Sequence, residues 1–207
     1  MPDGMGFVHL YSAPRQPGAR TLLLLHGTGG DEQSLLAVGR FLDPNAGLLS
    51  LRGNVLEGTS PRFFQRLAPQ VLDLEDLRVR TIELADFLKK TAEHYGFDPD
   101  NVVAVGYSNG ANIAASTVLR YPKIFSGAIL FHGVLPFMPE ALPDLSGTRI
   151  FITEGERDSM ISRELVFELS ETFRAAGAAT TLNWHVGGHE LTRDEIFAAH
   201  EWLKGQA

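Results

Sequence analysis

Short uninterrupted apolar runs alternate along this chain with longer stretches whose apolar residues recur every three or four positions. Residues 21–25 read TLLLL, 102–105 read VVAV and 128–131 read AILF. Runs of this length without polar alternation are strands covered on both faces, as in a mostly parallel sheet flanked by helices. Strands are expected at 7–11, 21–25, 47–51, 102–105, 128–131, 149–153 and 180–185. Between them, Leu74, Leu77, Leu84, Leu88 and Tyr95 fall at helical spacing, and Gly96 stands where a left-handed C-cap is wanted. Further helices are expected directly after Ser108, over about 163–175, and over 193–203. The fold class is α/β: repeated βα units around a mostly parallel central sheet with helices on both faces.

Two stretches fit neither period, residues 52–69 (RGNVLEGTSPRFFQRLAP) and 133–147. Irregular segments of that length in a compact domain are functional or disordered, and Phe63 and Phe64 favour order in the first. No repeat, linker or low-complexity tract divides the chain, so residues 1–207 read as one domain. The core elements use most of that length, which leaves no insertion large enough for a helical cap.

Composition then narrows the chemistry. The chain has no cysteine, which excludes disulfides, a thiolate nucleophile and Cys-based metal sites. A formal charge of −7 argues against nucleic acid as a partner. No apolar stretch is long enough to span a bilayer, and residues 1–6 lack the basic end and apolar run of a signal peptide, so a cytoplasmic location is expected.

The segment VVAVGYSNGANIAA carries the central motif. Gly106-Tyr107-Ser108-Asn109-Gly110 matches G-x-S-x-G, preceded by an apolar β-branched strand and followed by a small-residue helix. That turn holds the serine in strained geometry, and the flanking chains pass too close for side chains at the two glycines. Ser108 is the expected nucleophile. A second strand-to-loop transition, LLLLHGTGGD, ends in His26-Gly27-Thr28-Gly29-Gly30. Backbone N–H groups fixed in such a turn stabilise the oxyanion of acyl transfer without reorganising. The expected donors are Asn109, next after the serine, and Thr28. A dinucleotide loop is excluded because Glu32 occupies the third glycine position of G-x-G-x-x-G, and no G-x-x-x-x-G-K loop exists. His26 is expected to brace its loop by hydrogen bonding.

In this motif's fold the acid and then the histidine follow the serine in the chain. His189 follows Gly187-Gly188 in a loop just past the last strand, and precedes the capping-box pattern Thr192-Arg-Asp-Glu195. His132 leaves no βα unit between itself and Ser108 to supply the acid. His185 lies inside a strand and is expected to be packed, and His200 is expected on the solvent side of the last helix. The acid is assigned to Asp158, in the turn after strand 149–153, with Glu154 and Glu156 as a strand-end and a solvated charge. His185 and His189 lack a third ligand for a metal, so no metal is expected.

Taken together, LLLHGTGGDE, LRGNVLEGTSPRFFQR, GYSNGANIA, GERD and GGHELT resemble the phospholipase/carboxylesterase family of small α/β-hydrolases over nearly the whole chain. The acid turn departs slightly, with Ser159 where the family usually has proline. The RGNVLEG…PRFF segment is closer to the bacterial carboxylesterase branch than to the thioesterases. The resemblance implies an α/β-hydrolase fold, carboxylesterase activity, no cofactor, and a homodimer in several members. A small, mostly apolar ester is the expected substrate, with Phe63, Phe64, Leu135, Phe137 and Met138 as pocket lining. The alternatives are an acyl-protein thioesterase or lysophospholipase using the same residues, and a ligand-binding protein on a hydrolase scaffold.

Overall fold

In a computed structural model that describes residues 6–68 and 71–205, the chain runs β1 (His9–Ser12), β2 (Thr21–Leu25), α1 (Leu36–Leu42), β3 (Gly47–Leu51), β4 (Val55–Glu57), β5 (Ser60–Arg62), β6 (Arg66–Ala68) and β7 (Val71–Leu72). It continues through α2 (Leu74–Tyr95), β8 (Val102–Tyr107), α3 (Asn109–Arg120), β9 (Gly127–Phe131), β10 (Arg149–Gly155), α4 (Arg163–Ala175), β11 (Ala179–His185) and α5 (Arg193–Lys204). Residues 1–5, which begin the segment read for a signal peptide, and Pro69 of the irregular stretch lie outside the described residues.

The main sheet orders its strands β1-β3-β2-β8-β9-β10-β11, with β1 antiparallel and every other pairing parallel. This is the α/β-hydrolase architecture. Its central strands β2, β8 and β9 are almost wholly apolar because both faces are covered. Leu23, Leu25, Ala104, Leu130, Ile150 and Ile152 point to one face, where they pack with α2, α3 and α4. Leu22, Leu24, Val103, Val105, Ile129, Phe131 and Phe151 point to the other, under α1 and α5. The parallel register sets Leu23 beside Ala104 and Ala104 beside Ala128, so small residues meet where α3 lies close against the sheet.

Successive strands run one way from β2 to β3 and the other way from β8 through β11. The reversal leaves a crevice at the carboxyl ends of β2 and β8, where open α/β sheets bind ligands. Both strands end there in the glycine-rich segments singled out from sequence.

Three expectations change. The sequence pattern singles out no helix between β2 and β3, yet α1 forms there. It has only seven residues and a central Gly39, a poor helix former, so its sequence signal is weak. A side chain at Gly39 would meet Leu24 Cδ1 at 2.9 Å, so the glycine brings helix and sheet together. The 52–69 stretch holds a small hairpin, β4–β5, and the strand β6, which pairs antiparallel with β7. Gly58, with φ 62°, makes the two-residue turn of that hairpin. Leu74 is 52% exposed and is not core, unlike Leu77, Leu84 and Leu88. Among the described residues no helix is long and apolar enough to cross a membrane.

Candidate active site

Ser108 stands between β8 and α3 with φ 53° and ψ −112°, a conformation that L residues rarely adopt. Its N–H donates to Phe131 O (2.9 Å), which ties the turn to β9. The glycines around it are sterically required. A Cβ at Gly106 would lie 2.5 Å from Gly110 O, and one at Gly110 would lie 2.0 Å from Leu25 O. The turn therefore projects Ser108 into the crevice at the N-terminus of a twelve-residue helix, whose dipole favours negative charge there.

His189 reaches Ser108 from the loop after β11, with Nε2 3.0 Å from Oγ and Nδ1 2.6 Å from Asp158 Oδ2. An ionised carboxylate only accepts, so Nδ1–H donates to Asp158 and Nε2 is left to accept the Ser108 hydroxyl proton. Asp158 Oδ1 accepts from the N–H groups of Met160 (2.6 Å) and Ile161 (3.1 Å), which fixes the carboxylate in its turn. Burial raises the Asp158 pKa, but hydrogen bonds from Glu154, His189 and Met160 prevail and hold it down at about 2. The Tyr107 hydroxyl donates to His189 O (2.8 Å) and anchors the histidine loop to β8.

Thr28 and Asn109 face the same crevice as Ser108. Gly29 N–H donates to Pro61 O (2.9 Å), and Asn109 Oδ1 accepts from Phe63 N–H (2.7 Å), so the first hairpin braces both loops. Thr28 Oγ1 accepts from Arg62 Nη1 (2.6 Å). His26 braces its loop as expected. Gly53 N–H donates to its Nε2 (3.0 Å), which places the ring proton on Nδ1, and that donates to Gly27 O (2.6 Å). Burial, the largest influence on this ring, lowers its pKa and favours the neutral form.

A cleft of about 400 Å³ opens beside these residues. Its wall includes Leu72, Leu74, Val134, Leu135, Ile161 and Leu165, with Arg62 and Arg66 on one side. Of the five lining residues expected from sequence, Leu135 alone is on this wall. Phe63 and Phe64 are fully buried in the core, since the hairpin folds them inward under α2 and the sheet. Phe137 packs under Arg120, whose guanidinium carbon lies 4.2 Å from the ring centroid, and Met138 is exposed.

Sequence reasoning missed a second constellation behind Asp158. His132, set aside as a base, is fully buried at the end of β9, with Nδ1 2.7 Å from Glu154 Oε1 and 3.3 Å from Asp158 Oδ2. Its Nε2 lies 3.1 Å from Glu195 Oε2. Glu154 is strand-end as expected but buried, while Glu156 is exposed. Glu195 makes the expected capping box through Oε1, and its other oxygen faces His132. Burial lowers the His132 pKa, yet the hydrogen bonds to Glu154 and Glu195 override it and push it up to about 10. Burial, with a hydrogen bond to Asp158, raises Glu154 to about 7 against the pull of His132. His200 is half-buried rather than on the solvent side, its Nδ1 donating to Leu42 O of α1 (2.9 Å).

His132, His185 and Glu195 lie close enough to hold a metal, as do His132, Glu154, Asp158 and His189. The tautomers argue against it. His185 Nδ1 accepts from Gly187 N–H (3.1 Å), so its proton sits on Nε2, the atom facing Glu195 at 3.5 Å.

Residues 59–198 match the model of the Dienelactone hydrolase family. The putative hydrolase MhqD of Bacillus subtilis (strain 168) is 47% identical over 95% of this chain and 97% of its own length. The crystal structure of the Bacillus cereus carboxylesterase superposes with a TM-score of 0.95 at 43% identity, covering 97% of this chain and 95% of that one. A carboxylesterase from Mesorhizobium loti superposes at 0.91 with 27% identity, covering 98% and 97%. With the family model spanning most of the sequence and relatives matching it end to end, the chain belongs to the dienelactone hydrolase family and is a hydrolase.

Proposed function

We propose that the chain is a serine carboxylesterase working through an acyl-enzyme. The observation that carries this reading is the hydrogen-bonded relay Ser108–His189–Asp158, at 3.0 and 2.6 Å. Ser108 Oγ bonds to the ester carbonyl carbon while its proton passes to His189 Nε2. Asp158 accepts from Nδ1–H and stabilises the imidazolium. The backbone N–H groups of Thr28 and Asn109 receive the oxyanion, helped by the positive end of α3. The tetrahedral intermediate expels the alcohol, which leaves with the proton from His189. Water then repeats the sequence on the acyl-enzyme and releases the acid.

The substrate proposed is a small, mostly apolar ester. Support comes from the size of the cleft, its aliphatic wall and the lack of a helical cap among the described residues. Each methylene that becomes buried should improve transition-state binding by roughly 0.8 kcal/mol. For 4-nitrophenyl esters, kcat/KM should therefore rise about fourfold per methylene over the first few carbons and then level or fall. A steady climb to palmitoyl length would replace this reading with a thioesterase or lysophospholipase.

A further inference from the structure

His132 has more carboxylate around it than its place in the chain explains. Three acidic side chains from three segments converge on it: Glu154 of β10, Asp158 of the loop after β10, and Glu195 of α5. All three carboxylates are essentially without solvent contact. Both ring nitrogens point at oxygens that can only accept when ionised, so the ring must carry a proton on each to satisfy them. The other titratable groups against it are His185 of β11, His189 of the following loop and Tyr107 of β8, with ring centroids 5.4, 5.0 and 5.8 Å away.

Two further features mark the position as imposed by its surroundings. His132 has φ 55°, a left-handed conformation unusual for a residue with a side chain, and its N–H donates to Thr153 O (2.9 Å). Glu154 Oε2 is buried and has no hydrogen-bond partner among the described residues, while Oε1 serves His132 and Gly155 N–H (2.9 Å).

We propose that His132 is a positioning residue for the esterase, an internal imidazolium that balances Glu154 and Glu195 so that Asp158 remains the ionised acceptor for His189. Without the cation, Asp158 would share a buried site with two other carboxylates and compete with them for protons. It would then leave the His189 Nδ1–H without its partner for part of the time. The role rests on the serine esterase reading, but the charge state of His132 does not.

Two measurements test it. In the wild-type protein, long-range ¹H–¹⁵N spectra of the imidazoles at pH 8 should show His132 protonated on both nitrogens; a neutral ring there overturns the proposal. In kinetics on a short 4-nitrophenyl ester, His132→Gln should lower kcat roughly 10- to 100-fold with KM within about twofold, and move the acidic limb of the kcat/KM profile upward by about one pH unit. Adding Glu154→Gln removes the stranded carboxylate and should restore about tenfold in kcat. A single variant with normal kcat and pH profile, or a double variant no better than the single, overturns the positioning role. Should His132→Gln not fold, the spectra still decide. A wild type without esterase activity would refute the proposed function while leaving the imidazolium in place.

Discussion

On the β2–β8 side of the cleft, Thr28, Ser108 and Asn109 are placed by backbone: a strained serine, glycines packed to contact, and N–H groups at a helix start. On the β9–β11 side, His132, Glu154, Asp158, Glu195 and His189 are placed by charge, each side chain fixed by another from a distant segment. The first side works by excluded volume and hardly responds to pH. The second has a geometry that depends on which groups hold protons. A proposed nucleophile must sit at one point, which suits backbone; a proton relay must change charge, which suits a polar network.

The largest effect should come from the backbone side. Ser108→Ala should reduce kcat by roughly 10⁴-fold or more without loss of cooperative unfolding. Ser108→Gly should be equally inactive yet melt higher than Ser108→Ala, because glycine tolerates φ 53° without strain. Equal melting temperatures would mean the turn stores no strain. Next in size, Gly110→Ala drives a methyl into Leu25 O and should cost about 3 kcal/mol or more, read by urea unfolding.

On the charged side, pH replaces volume as the probe. His132, raised from 6.5 to about 10, contributes stability that is complete below pH 6.5 and lost as pH rises through 10. Glu154, raised from 4.5 to about 7, acts in the same sense, with its contribution lost as pH rises through 7. Asp158, lowered from 3.8 to about 2, contributes above 3.8 and loses it as pH falls through 2. The melting temperature should decline above neutrality, and His132→Gln should flatten that alkaline decline. An unchanged slope in the variant would remove His132 from the titrating network. The smallest effect is at the α5 capping box, where Thr192→Ala should cost about 1 kcal/mol.

The same contrast explains what the sequence revealed. Strands β2 and β3 were read with their observed limits, because a run buried on both faces is almost wholly apolar. The Ser108 turn was legible because its constraint is local, with glycines two residues to either side. The cluster at positions 132, 154 and 195 has no spacing to read, since only the sheet order brings β9, β10 and α5 together. Phe63 and Phe64 misled for a related reason. An aromatic pair in an irregular segment looks the same whether the loop turns it toward the cleft or folds it into the core.

The reading of Ser108 as a nucleophile activated by His189 is tested most directly by covalent capture. After brief treatment with a fluorophosphonate probe, peptide mass spectrometry should find one adduct, on Ser108. The adduct should be absent in Ser108→Ala and formed far more slowly in His189→Ala, while His185→Ala reacts nearly as fast as the wild type. An adduct on another residue, no adduct at all, or full reactivity in the His189 variant would contradict it.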